Sequence, residues 1–297
     1  MPAFLRRIER AWLRRNAPAQ TGDADDRTPL TVITGATEGI GRALAMEFAA
    51  HGHNLLLVAR SADGLAETAA ILRQRHPAIR VETVAADLAS PAGCDSVERA
   101  LEQHRCIAEY LVNNAAVGFS GSFHEKPRAV ALAVIDLNIR ALTDLMARFL
   151  PQMIARGKGG ILNVASFGGL VPGPYQSIYY ASKAYVISLT EAVAQEVAGR
   201  GVRMSVLAPG AVATRFHARM GADSALYTRL PGMIGAKRVA RVGYRNFMAW
   251  QTVIVPGVLP SLGGALVRFI PTYVVTPVVA FILKPRRKRT QTENDPA

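Results

Sequence analysis

Leu30-Thr31-Val32-Ile33-Thr34 runs directly into Gly35-Ala36-Thr37-Glu38-Gly39-Ile40-Gly41, and this stretch decides the fold. Its first five residues are apolar or β-branched and read as a short buried strand; Ile40–Ala50 then reads as a helix ended by Gly52. Between them, Gly35 is free to take an unusual turn geometry, Gly39 lets backbone approach an anion, and Gly41 permits close packing of helix on sheet. The first N–H groups of such a helix are unpaired and carry partial positive charge, which suits phosphate. Glycine spacing here is G-x-x-x-G-x-G, so the strand-to-helix context carries the reading more than the glycines themselves.

The same alternation continues outward. Strands are expected at Asn54–Ala59, Val81–Ala85, Tyr110–Asn113, Gly160–Ala165 and Val202–Leu207, with a seventh at Thr252–Val255. Helices are expected at Gly64–Arg75, near Ser96–His104, along Ala129–Ile154, over Tyr179–Gly199 and at Val239–Trp250. Short apolar strands separated by amphipathic helices define an α/β fold, a doubly wound parallel sheet whose ligands sit beyond the strand C-termini. One domain over 30–256 is expected, preceded by a basic extension and linker (1–29) and followed by an apolar extension with a basic tail (257–297).

Composition narrows the function classes. Half of the 297 residues are hydrophobic and 19% are charged, as in a globular protein. Cys94 and Cys106 give neither a disulfide framework nor metal spacing, and the six histidines are scattered, so no metal site is expected and a reducing, cytoplasmic setting is. Of the net charge of +13, residues 1–15 contribute five arginines against Glu9, and Lys284–Arg289 adds five more positive charges. A nucleic-acid binder would carry its basic stripe on the folded body, so none is expected as a partner; basic termini point instead to an anionic membrane surface or to solubility. The N-terminal apolar residues are broken up by arginines, unlike a secretory signal. Phe4, Ile8 and Trp12 repeat at helical spacing, which fits a short interfacial helix or one docked on its own domain. Phe269–Leu283 is strongly apolar but interrupted by Pro271 and Pro277, and falls short of the roughly 20 residues a bilayer-spanning helix needs. A substrate lid, a membrane-surface anchor and a packed extension remain open for it.

Chemistry concentrates at Tyr179-Tyr180-Ala181-Ser182-Lys183, with Ser166 upstream. Residues four apart on a helix share a face, so Tyr179 and Lys183 meet. A phenol of ordinary pKa about 10 is a poor acid near neutrality. A neighbouring ammonium is expected to lower that value and suit the phenol to proton exchange with a carbonyl oxygen.

With these residues in place, the chain resembles the short-chain dehydrogenase/reductase family from about Leu30 to Thr214. The resemblance rests on Thr34–Gly41, Asp87, Asn113-Asn114-Ala115-Ala116, Asn138, Ser166, Tyr179-x-x-x-Lys183 and Pro209-Gly210-x-x-x-Thr214, in the family's order. It implies a Rossmann fold, with Tyr179 as acid/base, Lys183 as its tuner and a ribose ligand, and Ser166 bonded to the substrate carbonyl. Asn138 would maintain a water-linked proton path near Lys183. Gly35, Thr37, Gly39, Ile40 and Gly41 would form the phosphate turn. Asn113, Asn114 and Ala115 would line the cofactor cleft, with Asp87 and Leu88 beside the adenine and Pro209, Val212 and Thr214 at the nicotinamide. Ala116 stands where the family usually has glycine, and its methyl is expected to be tolerated. Outside this pattern Asn138 would be an ordinary polar helix residue, and Ser166 and Asp87 ordinary turn formers.

Cofactor preference is read at the end of the second strand. Leu57-Val58-Ala59-Arg60-Ser61 lacks the acidic residue that accepts from a ribose 2′-hydroxyl, whereas Arg60 and Ser61 suit a 2′-phosphate, so NADP(H) is expected. Glu38 in the phosphate turn stands against this, and Arg42 is expected to point into solvent. Phe216, Met220, Leu226, Tyr227, Leu230, Met233 and Ile234 form an apolar run that reads as a lid over a lipophilic ketone or aldehyde, or as a subunit interface. The expected reaction is NADPH-dependent carbonyl reduction. The alternatives are a noncatalytic NADP(H)-binding sensor or scaffold, and an alcohol or hydroxysteroid dehydrogenase running oxidatively. The resemblance further implies a homodimer or homotetramer through the fourth and fifth helices.

Overall fold

A computed structural model gives the structure and describes residues 26–228, 233–257 and 270–285. The expected interfacial helix of residues 1–15 and Leu230 lie outside the described residues, as does Arg286–Arg289.

The chain runs β1 (Thr28–Thr34), α1 (Gly39–Ala50), β2 (Leu55–Ala59), α2 (Ala62–Arg75), β3 (Val81–Ala85), α3 (Pro91–Gln103) and β4 (Cys106–Asn113). It continues through α4 (Arg128–Ile135), a π-helical turn (Asp136–Ala141), α5 (Leu142–Ala155), β5 (Gly159–Val164), α6 (Ser177–Glu196) and β6 (Val202–Leu207). The last elements are β7 (Val212–Ala213), α7 (Phe216–Arg219), β8 (Ile234–Gly235), α8 (Ala236–Met248), β9 (Val253–Ile254) and α9 (Thr272–Leu283). Seven strands form one parallel sheet in the order β3-β2-β1-β4-β5-β6-β9, and β7 pairs with β8 beside it.

The inner strands β2, β4, β5 and β6 are buried on both faces because helices cover both, whereas edge strand β3 is partly exposed. Leu44, Phe48, Leu65, Leu72, Val239 and Phe247, from α1, α2 and α8, pack on one side. Val97, Leu101, Leu145, Phe149, Val186 and Ile187, from α3, α5 and α6, pack on the other. Local chemistry sets several boundaries. Ser61 and Ser90 cap α2 and α3 by accepting the N–H groups of Gly64 and Gly93. Ser90 followed by Pro91 starts α3 five residues before the expected Ser96, since proline fits the first helical position. The expected helix over Ala129–Ile154 is α4 and α5 joined by the π turn at Asn138.

Chain order reverses between β1 and β4, which opens a crevice at their C-terminal ends. Thr34 and Asn114 tie those ends together. Thr34 Oγ1 accepts from the N–H groups of Asn114 and Ala115 at 2.9 and 3.0 Å. Asn114 Nδ2 donates to the carbonyls of Thr34 and Gly35 at 2.9 and 3.2 Å.

Candidate active site

The crevice is one end of a cavity of about 610 Å³. Gly35, Thr37, Gly39, Ile40, Arg60, Ser61, Asp87, Leu88, Asn114 and Ala115 line this end. Ser166, Tyr179, Lys183, Pro209, Val212 and Thr214 line its middle. Gly35 holds φ at +64°, and a Cβ there would sit 2.9 Å from Asn114 Nδ2. Gly41 lies behind the wall, where a Cβ would fall 2.1 Å from the Gly35 carbonyl oxygen, so the glycine allows α1 to seat on the turn. Asn113 also faces away from the cleft, contrary to the expectation from sequence. Its Nδ2 donates to Asn163 Oδ1 at 2.9 Å in the core, because neighbouring strand residues point to opposite faces.

α6 brings Tyr179 and Lys183 to the middle of the cavity. Tyr179 is half-buried, with its hydroxyl engaged by Ser166 and its ring centroid 5.4 Å from that of Phe216. Lys183 is buried, and its Nζ donates to the Val164 carbonyl at 2.9 Å while lying 5.7 Å from the Tyr179 ring centroid. Burial lowers the ammonium pKa to about 8. Burial also raises the Tyr179 phenol above its ordinary range, with the Ser166 hydrogen bond pulling the other way. The lowering expected from Lys183 is therefore not what this arrangement produces: desolvation raises the phenol, and the ammonium is turned to Val164. The phenol is thus protonated at neutral pH.

Asn138 also stands outside the cavity wall. Its Oδ1 accepts from Val117 N–H at 2.9 Å, and its Nδ2 donates to the Val117 carbonyl at 2.8 Å and to Ser182 Oγ at 3.0 Å. Ser182 Oγ donates in turn to the Tyr179 carbonyl at 2.7 Å. The π turn thus fixes the strand end after β4 against the first turns of α6.

Around the phosphate turn, Glu38 forms an ion pair with Arg219 of α7. Arg42 pairs with Glu67 at 3.0 Å instead of pointing freely into solvent. Arg60 is exposed on the cavity rim, and the Ser61 oxygen accepts the Gly64 N–H while capping α2. The glycine turn, the N-terminus of α1 without a side-chain cap and the cation at Arg60 together fit the phosphates of a dinucleotide.

The other end of the cavity is largely apolar, with one polar cluster. Phe216, Met220 and Tyr227 line it as expected of a lid; Ile234 instead pairs with β7 and packs on the core, so the apolar run is only partly a wall. The sequence did not single out Val279, Ile282 and Leu283, the inner face of α9, which close this end. It also missed a polar cluster there, in which Tyr227 Oη meets His217 Nδ1 at 3.0 Å and Gln176 Nε2 at 3.4 Å. Burial lowers the His217 pKa, so the imidazole is neutral at pH 7. Among the described residues, no group of three histidine, cysteine or acidic side chains could hold a metal.

A doubly wound sheet whose switch-point crevice opens onto a serine-bonded tyrosine defines a dinucleotide-dependent oxidoreductase site. The chain belongs to the short chain dehydrogenase family, which it matches over residues 29–225, and acts as an oxidoreductase on CH–OH/C=O groups. It is 30% identical over 218 residues to a very-long-chain 3-oxoacyl-CoA reductase-like protein of Arabidopsis thaliana, covering 71% of this chain and 69% of that one. Among solved structures, a short-chain dehydrogenase from Sphingobium yanoikuyae in complex with NADPH is similar at 34% identity and a TM-score of 0.72, covering 80% of this chain and 93% of that one. A family member from Burkholderia phymatum in complex with NAD is similar at 28% identity and the same TM-score of 0.72, covering 83% and 94%.

Proposed function

We propose that this enzyme uses NADPH to reduce a lipophilic ketone or aldehyde to an alcohol. The observation that carries the reading is the single cavity in which Tyr179 and Ser166 stand between a phosphate-cradling end with Arg60 and an apolar end walled by Phe216, Met220 and Ile282.

Gly35, Thr37, Gly39, Ile40 and Arg60 would hold the dinucleotide phosphates. Asp87, Leu88, Asn114 and Ala115 would hold the adenosine side, and Pro209, Val212, Thr214 and Lys183 the nicotinamide riboside. The reduced nicotinamide, when bound, supplies hydride for the carbonyl carbon. Ser166 orients the carbonyl oxygen, and Tyr179 gives it the phenolic proton. Protonation by a positioned acid contributes about 10²–10⁴-fold. Asn138 acts as a positioning residue, holding Val117 and Ser182 and through them the turn that carries Tyr179.

The preference for NADP(H) is supported by Arg60 and by Ala59 in place of an acid, while the Arg219 partner offsets the charge of Glu38. The Arabidopsis relative's name, with its very-long-chain 3-oxoacyl group, agrees with an apolar substrate end. The buried cysteines, Cys94 and Cys106, fit a reducing, cytoplasmic setting. Exposed Val130, Leu132 and Ile135 on α4 suit a dimer or tetramer packed through the helices around α4 to α6. The catalytic unit of 30–256 gains two residues at its start, since β1 begins at Thr28. It also takes part of its substrate wall from the C-terminal extension. NADPH and NADH oxidation by the full chain should be followed with diketones, steroid ketones and long-chain 3-oxoacyl thioesters. Turnover of the long substrates with NADPH is expected. Tight NADPH binding with no carbonyl reduced would favour the sensor reading, and faster oxidation of the matching alcohols by NADP⁺ the dehydrogenase one.

A further inference from the structure

α9 reads Thr272-Tyr-Val-Val-Thr-Pro-Val-Val-Ala-Phe-Ile-Leu283, twelve residues without one charged side chain. A helix on the surface of a protein ordinarily turns a charged face to water, and one that is apolar all round is covered on both sides. Among the described residues, only one side of α9 is covered. Val279, Ile282 and Leu283 face the cavity that holds Tyr179, and Leu283 is 2% exposed. On the opposite side Tyr273, Val274, Val278 and Phe281 are 78, 48, 57 and 66% exposed. Four large apolar side chains on one arc of a short helix are a patch, unlike singly scattered surface residues.

Charge decides what covers it. The sequence that follows carries Lys284, Arg286, Arg287, Lys288 and Arg289, with Glu293 and Asp295 only further on, and residues 1–15 carry five arginines against Glu9. A second copy of a chain of net charge +13 adds repulsion, whereas an anionic bilayer attracts Lys284 and the basic run directly after it while accepting the apolar face. The helix is too short to cross: twelve residues rise about 18 Å against a hydrocarbon core of about 30 Å. Among the described residues no helix is long and apolar enough to span. Tyr273 suits the headgroup level, where a ring can be half wet.

We propose that the outer face of α9 seats in the surface of an anionic bilayer, with Lys284 and the basic run directly after it at the headgroups, so that the helix walling the substrate cavity is also its boundary with lipid. A lipophilic carbonyl compound then enters from the membrane beside α9. The entry route rests on the substrate reading above; the docking does not.

The test is sedimentation of the full chain with phosphatidylcholine vesicles, with and without about one-third phosphatidylglycerol, at low and high salt and with no substrate present. Binding to the anionic vesicles is expected to be at least about tenfold tighter than to neutral ones and to weaken with salt. The Val278→Ser/Phe281→Ser variant is expected to lose about tenfold in vesicle affinity while reducing a short, water-soluble carbonyl compound at the wild-type rate. A chain with Lys284 and Arg286–Arg289 all changed to glutamine is expected to bind the anionic vesicles more weakly and with a shallower salt dependence. Absence of sedimentation with anionic vesicles overturns the proposal, as does undiminished binding of the double serine variant. A wild-type dimer that the serine variant dissociates, without vesicle binding, overturns it in favour of a second copy. Vesicle binding without any carbonyl turnover supports the docking and removes only the substrate reading.

Discussion

At the phosphate end of the cavity the wall is backbone: Thr34 and Asn114 lock two strand ends through four hydrogen bonds, and a Cβ on Gly41 would overlap the Gly35 carbonyl. At the substrate end the wall is side chain: Phe216, Met220, Ile282 and Leu283 present apolar surface from α7, the segment after it and the late helix α9. The first end admits almost no substitution because particular atoms must approach closely. The second asks only for size and apolarity, so many sequences would serve. Tyr179 stands between the two.

The comparison can be broken first at that junction. Tyr179→Phe is expected to lower kcat by at least about 100-fold while leaving the NADPH Kd within about twofold, read by steady-state rates and cofactor fluorescence titration. Near-normal turnover would mean that some other group supplies the proton.

The next effect is one of pH. Burial takes Lys183 from 10.5 to about 8, so between those values the unfolded chain binds more protons than the folded one. Stability should therefore rise with pH from about 8, with the cost of burying the charge fully present below that value and relieved towards 10.5. The rise amounts to about 3 kcal/mol at most. The Lys183→Met chain should lack it; urea unfolding of both proteins without cofactor, from pH 7.5 to 9.5, compares them. An equal rise in the variant would assign the titration to another group.

At the rigid end, Gly41→Ala should cost about 1–3 kcal/mol and weaken NADPH binding, because the new methyl meets backbone that cannot retreat. Ile282→Ala, at the adaptable end, should be milder in thermal unfolding. A Gly41→Ala protein more stable than Ile282→Ala would erase the distinction. The smallest effect is at the rim: Arg60→Ala should raise the KM for NADPH about tenfold and leave that for NADH unchanged. Equal KM values for NADPH before and after would sink the 2′-phosphate assignment.

The same difference governs what was legible in the sequence. The sheet could be read because strands buried on both faces are continuous apolar runs, and the phosphate turn because close approach demands glycine at Gly35 and Gly41. Tyr179, Lys183 and Ser166 were legible by spacing. The π turn at Asn138 was hidden because apolar periodicity runs through α4 and α5 without a break. Asn113 and Asn114 could not be told apart without the strand's facing: one bonds Asn163 in the core, the other closes the crevice. The shift of the Tyr179 phenol went the other way because sequence shows a neighbouring lysine but not the desolvation of both groups. α9 gave no amphipathic signal because both its faces are apolar, so its cavity-facing residues could not be separated from its outer ones.

The measurement that bears most directly on a rigid cofactor end joined to an adaptable apolar end is kcat/KM with NADPH across 3-oxoacyl thioesters of increasing chain length, for the wild type and for Ile282→Trp. The wild type should gain with length, and the variant should lose that gain while keeping the rate on the shortest substrate and its NADPH affinity. No dependence on length in the wild type, or an equal loss at every length in the variant, would contradict the account.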